Sequence, residues 1–107
     1  MAQSEAFARI GGWAIVERAS PGLPVSQHVV GYVENHPKFS MDEPYIGRAL
    51  LSFDVAAGEA INAKGQLIVL VGPPLPEGEL PGELTAMEYR AELAWRLPAG
   101  TVWRRIG

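Results

Sequence analysis

The chain of 107 residues contains no cysteine, which excludes disulfide scaffolds, thiolate metal sites and cysteine nucleophiles. Lysine is scarce as well, occurring only at Lys38 and Lys64. Lysine and arginine together supply nine positive charges against twelve carboxylates, a formal charge of −3. General affinity for nucleic acid rests on neutralising phosphates, and this balance disfavours it. Long apolar runs are missing too. The longest, Leu67–Val71, is far too short to span a bilayer, so no membrane association is expected. Met1–Arg9 lacks the basic start and following apolar stretch of a secretory signal. Disorder is excluded from the opposite side, because 48% hydrophobic residues suffice for one ordinary core. The expectation is a single domain over residues 1–107, placed in the cytoplasm.

What the chain does have is punctuation. Twelve glycines and nine prolines separate short segments rich in Val, Ile, Leu and aromatics, the pattern of many short strands. A first strand reads as Ile10–Ala19, with Glu17 and Arg18 marking its emergence into solvent. A second reads as Gln27–Glu34, where Gly31 marks a bulge or a close backbone approach. Residues 35–44 form a long, exposed connection. Tyr45–Val55 alternates with period two, which predicts one strand with Tyr45, Ala49, Leu51 and Phe53 facing the core and Arg48, Ser52 and Asp54 facing water. Ala60–Ala63 and Gln66–Val71 complete a meander across the hairpin-length connection Lys64-Gly65.

The sheet, residues 10–72, gives way to a Pro/Gly linker over 73–84. A helix over 85–97 follows. Thr85 is its expected N-cap, Glu88 completes a capping box, and Leu84 and Tyr89 fall at hydrophobic-staple positions. Glu92 and Arg96 form an i,i+4 pair, and Pro98 stops the helix. A final strand spans 101–106. Strand runs followed by one helix predict a mainly β fold: a small antiparallel barrel, or a strongly curved sheet of five to six strands, with one C-terminal helix.

Few residues carry recognisable chemistry, and no catalytic residue and no cofactor is expected. His28 and His36, with Asp42 and Glu43, offer nitrogen and oxygen ligands but none of the tight spacing of a metal site. Ser26 lies two residues from His28, so the two share a strand face, yet the spacing alone does not arrange them for proton exchange. No serine sits in a Gly-x-Ser-x-Gly turn. The carboxylate pairs Asp42-Glu43 and Glu77/Glu79 lie in solvated loops, where general acid/base work has no apolar surrounding to draw on. Gly11-Gly12 precedes a strand rather than a helix, and Gly78-x-x-x-Gly82 lacks the following Lys-Ser/Thr, so neither cradles phosphate.

Two surfaces merit singling out. Tyr32, Phe39 and Arg48, with Tyr45, offer a stacking and phosphate-contacting face for a nucleic-acid-binding barrel. Trp103, Arg104 and Arg105 are the better candidate interface, because Trp and Arg dominate binding hot spots. Their segment, 96–107, carries +3 beside the −4 of 77–95, a polarity suited to a protein partner or a second copy of the chain.

The order Gly31-Tyr32-Val33-Glu34-Asn35-His36-Pro37, then Ile46–Asp54, Gly58, Gly65 and Leu70-Val71-Gly72-Pro73 resembles a group of short, uncharacterised bacterial and phage β-rich proteins. The resemblance covers residues 31–76, and Gly47-Arg48 departs from it where a small hydroxyl pair is expected. It implies a compact β fold and a mobile-element origin, and its turn and core positions carry over no site. The leading functional expectation is a non-catalytic protein-binding module, such as a phage- or prophage-encoded inhibitor or accessory protein. A nucleic-acid-binding β-barrel and a small enzyme with a site formed between subunits are the alternatives.

Overall fold

The computed structural model describes residues 6–107. The first five residues of the Met1–Arg9 segment considered above lie outside the described part. Seven strands and one helix follow in the order β1 (Ala8–Ala19), β2 (Ser26–Asn35), β3 (Pro44–Ile46), β4 (Leu50–Asp54), β5 (Glu59–Asn62), β6 (Leu67–Val71), α1 (Gly82–Ala94) and β7 (Val102–Arg105). They form one sheet with the path β3-β2-β1-β6-β5-β4, and β7 pairs β1 off that path.

The long strand β1 organises everything else. Along one edge it pairs β2 antiparallel; along the other, Ala8–Gly11 run parallel to Ile68–Val71 and Val16–Ala19 antiparallel to Val102–Arg105. The change of partner falls at an irregularity between Gly11 and Ala14, where Gly12 adopts φ +50°. The linker holds that kink: Leu75 N–H donates to the Trp13 carbonyl, and the Trp13 indole N–H to the Gly72 carbonyl. Gly31 lies across from it, and a Cβ there would come within 2.7 Å of Ile10 Cγ2 and 2.8 Å of the Gly11 carbonyl oxygen. The close approach expected at Gly31 is present, and the irregularity belongs to β1.

The sheet is mixed rather than purely antiparallel, and it is not a closed barrel. It is nonetheless strongly curled. β3 and β4 end the path at opposite sides, yet only residues 47–49 separate them. Laid flat, six strands put the outer two roughly 24 Å apart at about 4.8 Å per step. The chain from Ile46 to Leu50 reaches roughly 15 Å at most. The sheet curls to satisfy this link, but no ladder joins β3 to β4.

Curling divides the core in two. Ile10, Trp13, Ile15, Val29, Val33, Tyr45, Ile68 and Leu70 fill the inside of the curl. Ala14, Val16 and Val30 face outward and are covered by Leu84 of the helix, with Leu75, Leu80 and Trp103 around them. β1 is therefore apolar on both faces, as a strand buried on both sides must be.

Three expectations are corrected here. Tyr45–Val55 is not one strand: Tyr45 and Ile46 pair with β2, the chain crosses at 47–49, and β4 pairs β5 with a register shift between Leu50 and Ser52. Leu51 is 68% exposed and Phe53 39%. Period two says that side chains alternate, not that either face is covered, and no element among the described residues covers this outer strand. Arg18 does not emerge into solvent; it is 8% exposed.

The helix begins at Gly82, three residues before Thr85, capped only by the Pro81 carbonyl, which accepts from Leu84 and Thr85 N–H. Thr85 is thus an exposed helical residue, Tyr89 is exposed as well, and the staple does not form. At the other end Arg96 takes φ +53°, Leu97 N–H bonds the Glu92 carbonyl and Arg96 N–H the Leu93 carbonyl, a Schellman ending with arginine where glycine is usual. Arg96 is then turned away from its expected partner Glu92, which accepts the Trp103 indole N–H instead (2.8 Å).

Candidate functional site: a cationic cleft beside a Ser–His pair

In the β1–β2 ladder Arg18 stands opposite Ser26 and Val16 opposite His28. Directly opposed residues share a face, so Arg18, Ser26 and His28 emerge together on the helix side of the sheet. The helix ending then lays Trp95 against His28, rings stacked at 5.1 Å, while Trp103 of β7 meets the same ring edge-on at 5.7 Å.

For a neutral ring, the hydrogen bonds around His28 leave one consistent arrangement of protons. Nδ1 lies 2.9 Å from the Gly47 carbonyl, which only accepts, so Nδ1 carries the hydrogen. Nε2 is then a free lone pair, and the Ser26 hydroxyl, 2.7 Å away, donates to it. Arg18 Nε–H donates to the same Ser26 oxygen at 3.0 Å. Burial pushes the His28 pKa below its ordinary value, and the Arg18 charge adds to that push against the opposing Gly47 and Arg48 backbone bonds. The lowered pKa favours the neutral ring.

Arg18 itself is a buried cation with no carboxylate in ion-pair contact among the described residues. Its guanidinium donates to Ser26, to Ser20 Oγ (2.6 Å) and to the Pro24 carbonyl (2.9 Å). Ser20 in turn meets Thr101 Oγ1 at 2.8 Å, and Thr101 donates to the Pro98 carbonyl. This relay ties β1 to the loop that follows Trp95. The single ion pair among the described residues joins Arg104 to Glu17, elsewhere on the surface.

A cavity of about 330 Å³ opens on this group, lined by Arg18, Ser26, His28, Arg48, Lys64 and Trp95 with small apolar neighbours. A second cavity, about 270 Å³, adjoins it and shares Arg48 and Trp95; Lys38 and the aromatic group Phe7, His36, Phe39 and Tyr45 line its far side. The His36 ring sits at the centre of that group, 4.6 Å from Phe39, 5.0 Å from Phe7 and 5.4 Å from Tyr45. Burial first, then Lys38, hold the His36 pKa below its ordinary value. Four cations therefore line the two adjoining cavities: Arg18 and Lys64 one, Lys38 the other, and Arg48 both. No Asp or Glu among the described residues lines either cavity.

Of the residues singled out from sequence, Phe39, Tyr45 and Arg48 come together here. Tyr32 does not; it packs beside the helix, its hydroxyl 3.5 Å from Glu83. Trp103 packs in the helix-side core and donates to Glu92, Arg104 pairs with Glu17 at 2.9 Å, and Arg105 donates to the Leu75, Pro76 and Gly107 carbonyls. His28 and His36 lie in separate cavities, and no group of three potential ligands suited to a metal occurs among the described residues. Arg18, Lys64 and Trp95 were not among the site residues that the sequence singled out. The i,i+2 spacing of Ser26 and His28 was a usable signal, but the Gly47 carbonyl and Arg18 that orient them come from other elements.

No helix among the described residues is long and apolar enough to cross a membrane. Comparison of the chain with protein-family models, with curated proteins and with solved structures returned no match.

Proposed function

We propose that the protein is a binding module that receives an acidic, partly apolar group of a partner protein in the double cleft. The carrying observation is the charge segregation: Arg18, Lys38, Arg48 and Lys64 line the two adjoining cavities, with no carboxylate among the described residues beside them, in a chain whose net charge is −3. A buried cation lacking a counter-charge is costly, and an arriving carboxylate offsets that cost. Trp95 and the Phe39–Tyr45 group give the same ligand an apolar wall, so an aspartate or glutamate next to an aromatic residue suits the cleft. We propose this cleft rather than the C-terminal strand as the contact surface, because the polar groups of Trp103, Arg104 and Arg105 already have partners within the chain.

A nucleic acid shares the anionic and planar character of such a ligand. Against it stand the negative net charge, which repels a polyanion at long range, and a cleft of two small cavities rather than an extended basic stripe. The test is Trp fluorescence and NMR titration with a short peptide carrying adjacent Glu and Phe, its Gln counterpart, and an oligothymidylate. The acidic peptide should bind with shifts at Trp95 and His28. The Gln counterpart should bind about tenfold more weakly, the weight of one well-placed charge pair. Arg48→Glu with Lys64→Glu should abolish binding. Silence towards the acidic peptide, or tighter oligothymidylate binding that falls steeply with salt, overturns the reading.

A further inference from the structure

We propose that Ser26 is a nucleophile, with His28 as its general base, and that the cleft can transfer acyl groups from small esters through an acyl-Ser26 intermediate. The proposal goes beyond binding, and it stands on geometry rather than on ligand charge. A nucleophilic serine needs a base within hydrogen-bond reach, a third group that fixes the tautomer of that base, and access for substrate. All three conditions are met. Ser26 Oγ is 2.7 Å from His28 Nε2, the Gly47 carbonyl holds the hydrogen on Nδ1, and Ser26 and His28 both line the 330 Å³ cavity. The orienting group is a backbone carbonyl in place of the carboxylate of the familiar triads.

Arg18 adds an electrostatic component. Its Nε–H bond to Ser26 Oγ stabilises negative charge as the alkoxide develops. Three of its five N–H donors are engaged, by Ser26, Ser20 and Pro24. The other two have no partner among the described residues, and because Arg18 lines the cavity they are available to an oxyanion formed there. Trp95, stacked on the imidazole, limits its rotation.

The reaction balances without any further agent. Ser26 Oγ adds to the acyl carbon of an ester while its proton passes to His28 Nε2. The tetrahedral adduct collapses, the bond to the alcohol oxygen breaks, and that oxygen takes the proton from Nε2. Water then attacks the acyl-Ser26 carbonyl, giving a proton to Nε2. Ser26 leaves, recovers that proton, and a carboxylic acid is released. Arg48 and Lys64 on the rim favour esters that carry a second, anionic group.

The experiment uses the full chain with p-nitrophenyl acetate and with p-nitrophenyl hemiglutarate, its anionic homologue. The expected result is a burst of p-nitrophenol matching the protein concentration, with the acyl group mapped to the peptide containing Ser26 by mass spectrometry. Ser26→Ala should reduce the burst rate by at least about 100-fold, the scale of positioned acid–base catalysis, and His28→Gln similarly. A fluorophosphonate probe should label Ser26 in the unaltered chain, which keeps the test independent of whether either variant folds. Acylation elsewhere, no labelling of Ser26, or a Ser26→Ala variant that reacts at the parent rate overturns the proposal. Because acetate esters are neutral, failure here leaves the binding reading standing. A reactive Ser26 without any preference for the anionic ester would overturn the role given to the Arg48 and Lys64 rim and count against the binding reading, while acyl transfer by Ser26 would stand.

Discussion

Replacing Glu88 by glutamine should stabilise the protein at alkaline pH and leave it unchanged at acid pH. Glu88 lies on the buried face of the helix between Leu84 and Ala91, and it is 8% exposed. Burial, and secondarily the charge of Glu92 one turn on, raise its pKa from 4.5 to about 7. Below the lower value the carboxyl is protonated in both folded and unfolded chains and contributes nothing. Between the two values the unfolded chain releases its proton while the folded chain keeps it, so stability falls as pH rises. Above about 7 the loss is complete. The full interval corresponds to about 3 kcal/mol, an upper figure because water reaches the margin of the helix. His28 and His36, whose pKa values are lowered, act in the opposite sense: their contribution is lost as pH falls below their ordinary value. Their effect is common to parent and variant and cancels in the difference. The assay is urea unfolding followed by Trp fluorescence at about pH 4 and about pH 8, where Glu88→Gln should gain roughly 0 and 2–3 kcal/mol respectively. An equal effect at both pH values, or a loss at the higher one, would refute the reasoning.

Gly31→Ala should destabilise by about 2 kcal/mol or more, because the new methyl meets the Gly11 carbonyl and Ile10 across the ladder and the backbone cannot yield; thermal melting reads this directly. Arg96→Gly should instead add about 0.5–1 kcal/mol, since glycine takes the left-handed turn at the helix end without strain. If that variant melts at the parent temperature or below, the Schellman ending is not what holds Trp95 in place.

Much of the architecture was legible in the residues. Glycine and proline divided the chain at nearly every element boundary, and the Glu59–Val71 hairpin needed only its short turn, where the Asn62 side chain accepts from Lys64 and Gln66 N–H. Where the reading failed, local and global demands had parted. The Thr85 capping box is a valid local signal, but the helix starts earlier at Gly82 and delivers Leu84, Glu88 and Ala91 to the sheet. The alternation of Tyr45–Val55 spans two pieces of chain that pair with opposite ends of the sheet, and alternation records nothing about which neighbour a strand finds.

The sequence by itself determined a small, cysteine-free, mainly β chain with one helix near its end, because hydrophobic period and turn chemistry are properties of neighbouring residues. It also placed Ser26 and His28 on one strand face, since that follows from a spacing of two. Only the tertiary structure decided the site. Arg18 from β1, Gly47 and Arg48 from the crossing, Lys64 from a turn and Trp95 from the helix end lie up to 77 positions apart. They meet because a three-residue link forces the sheet to curl and the helix closes over its outer face.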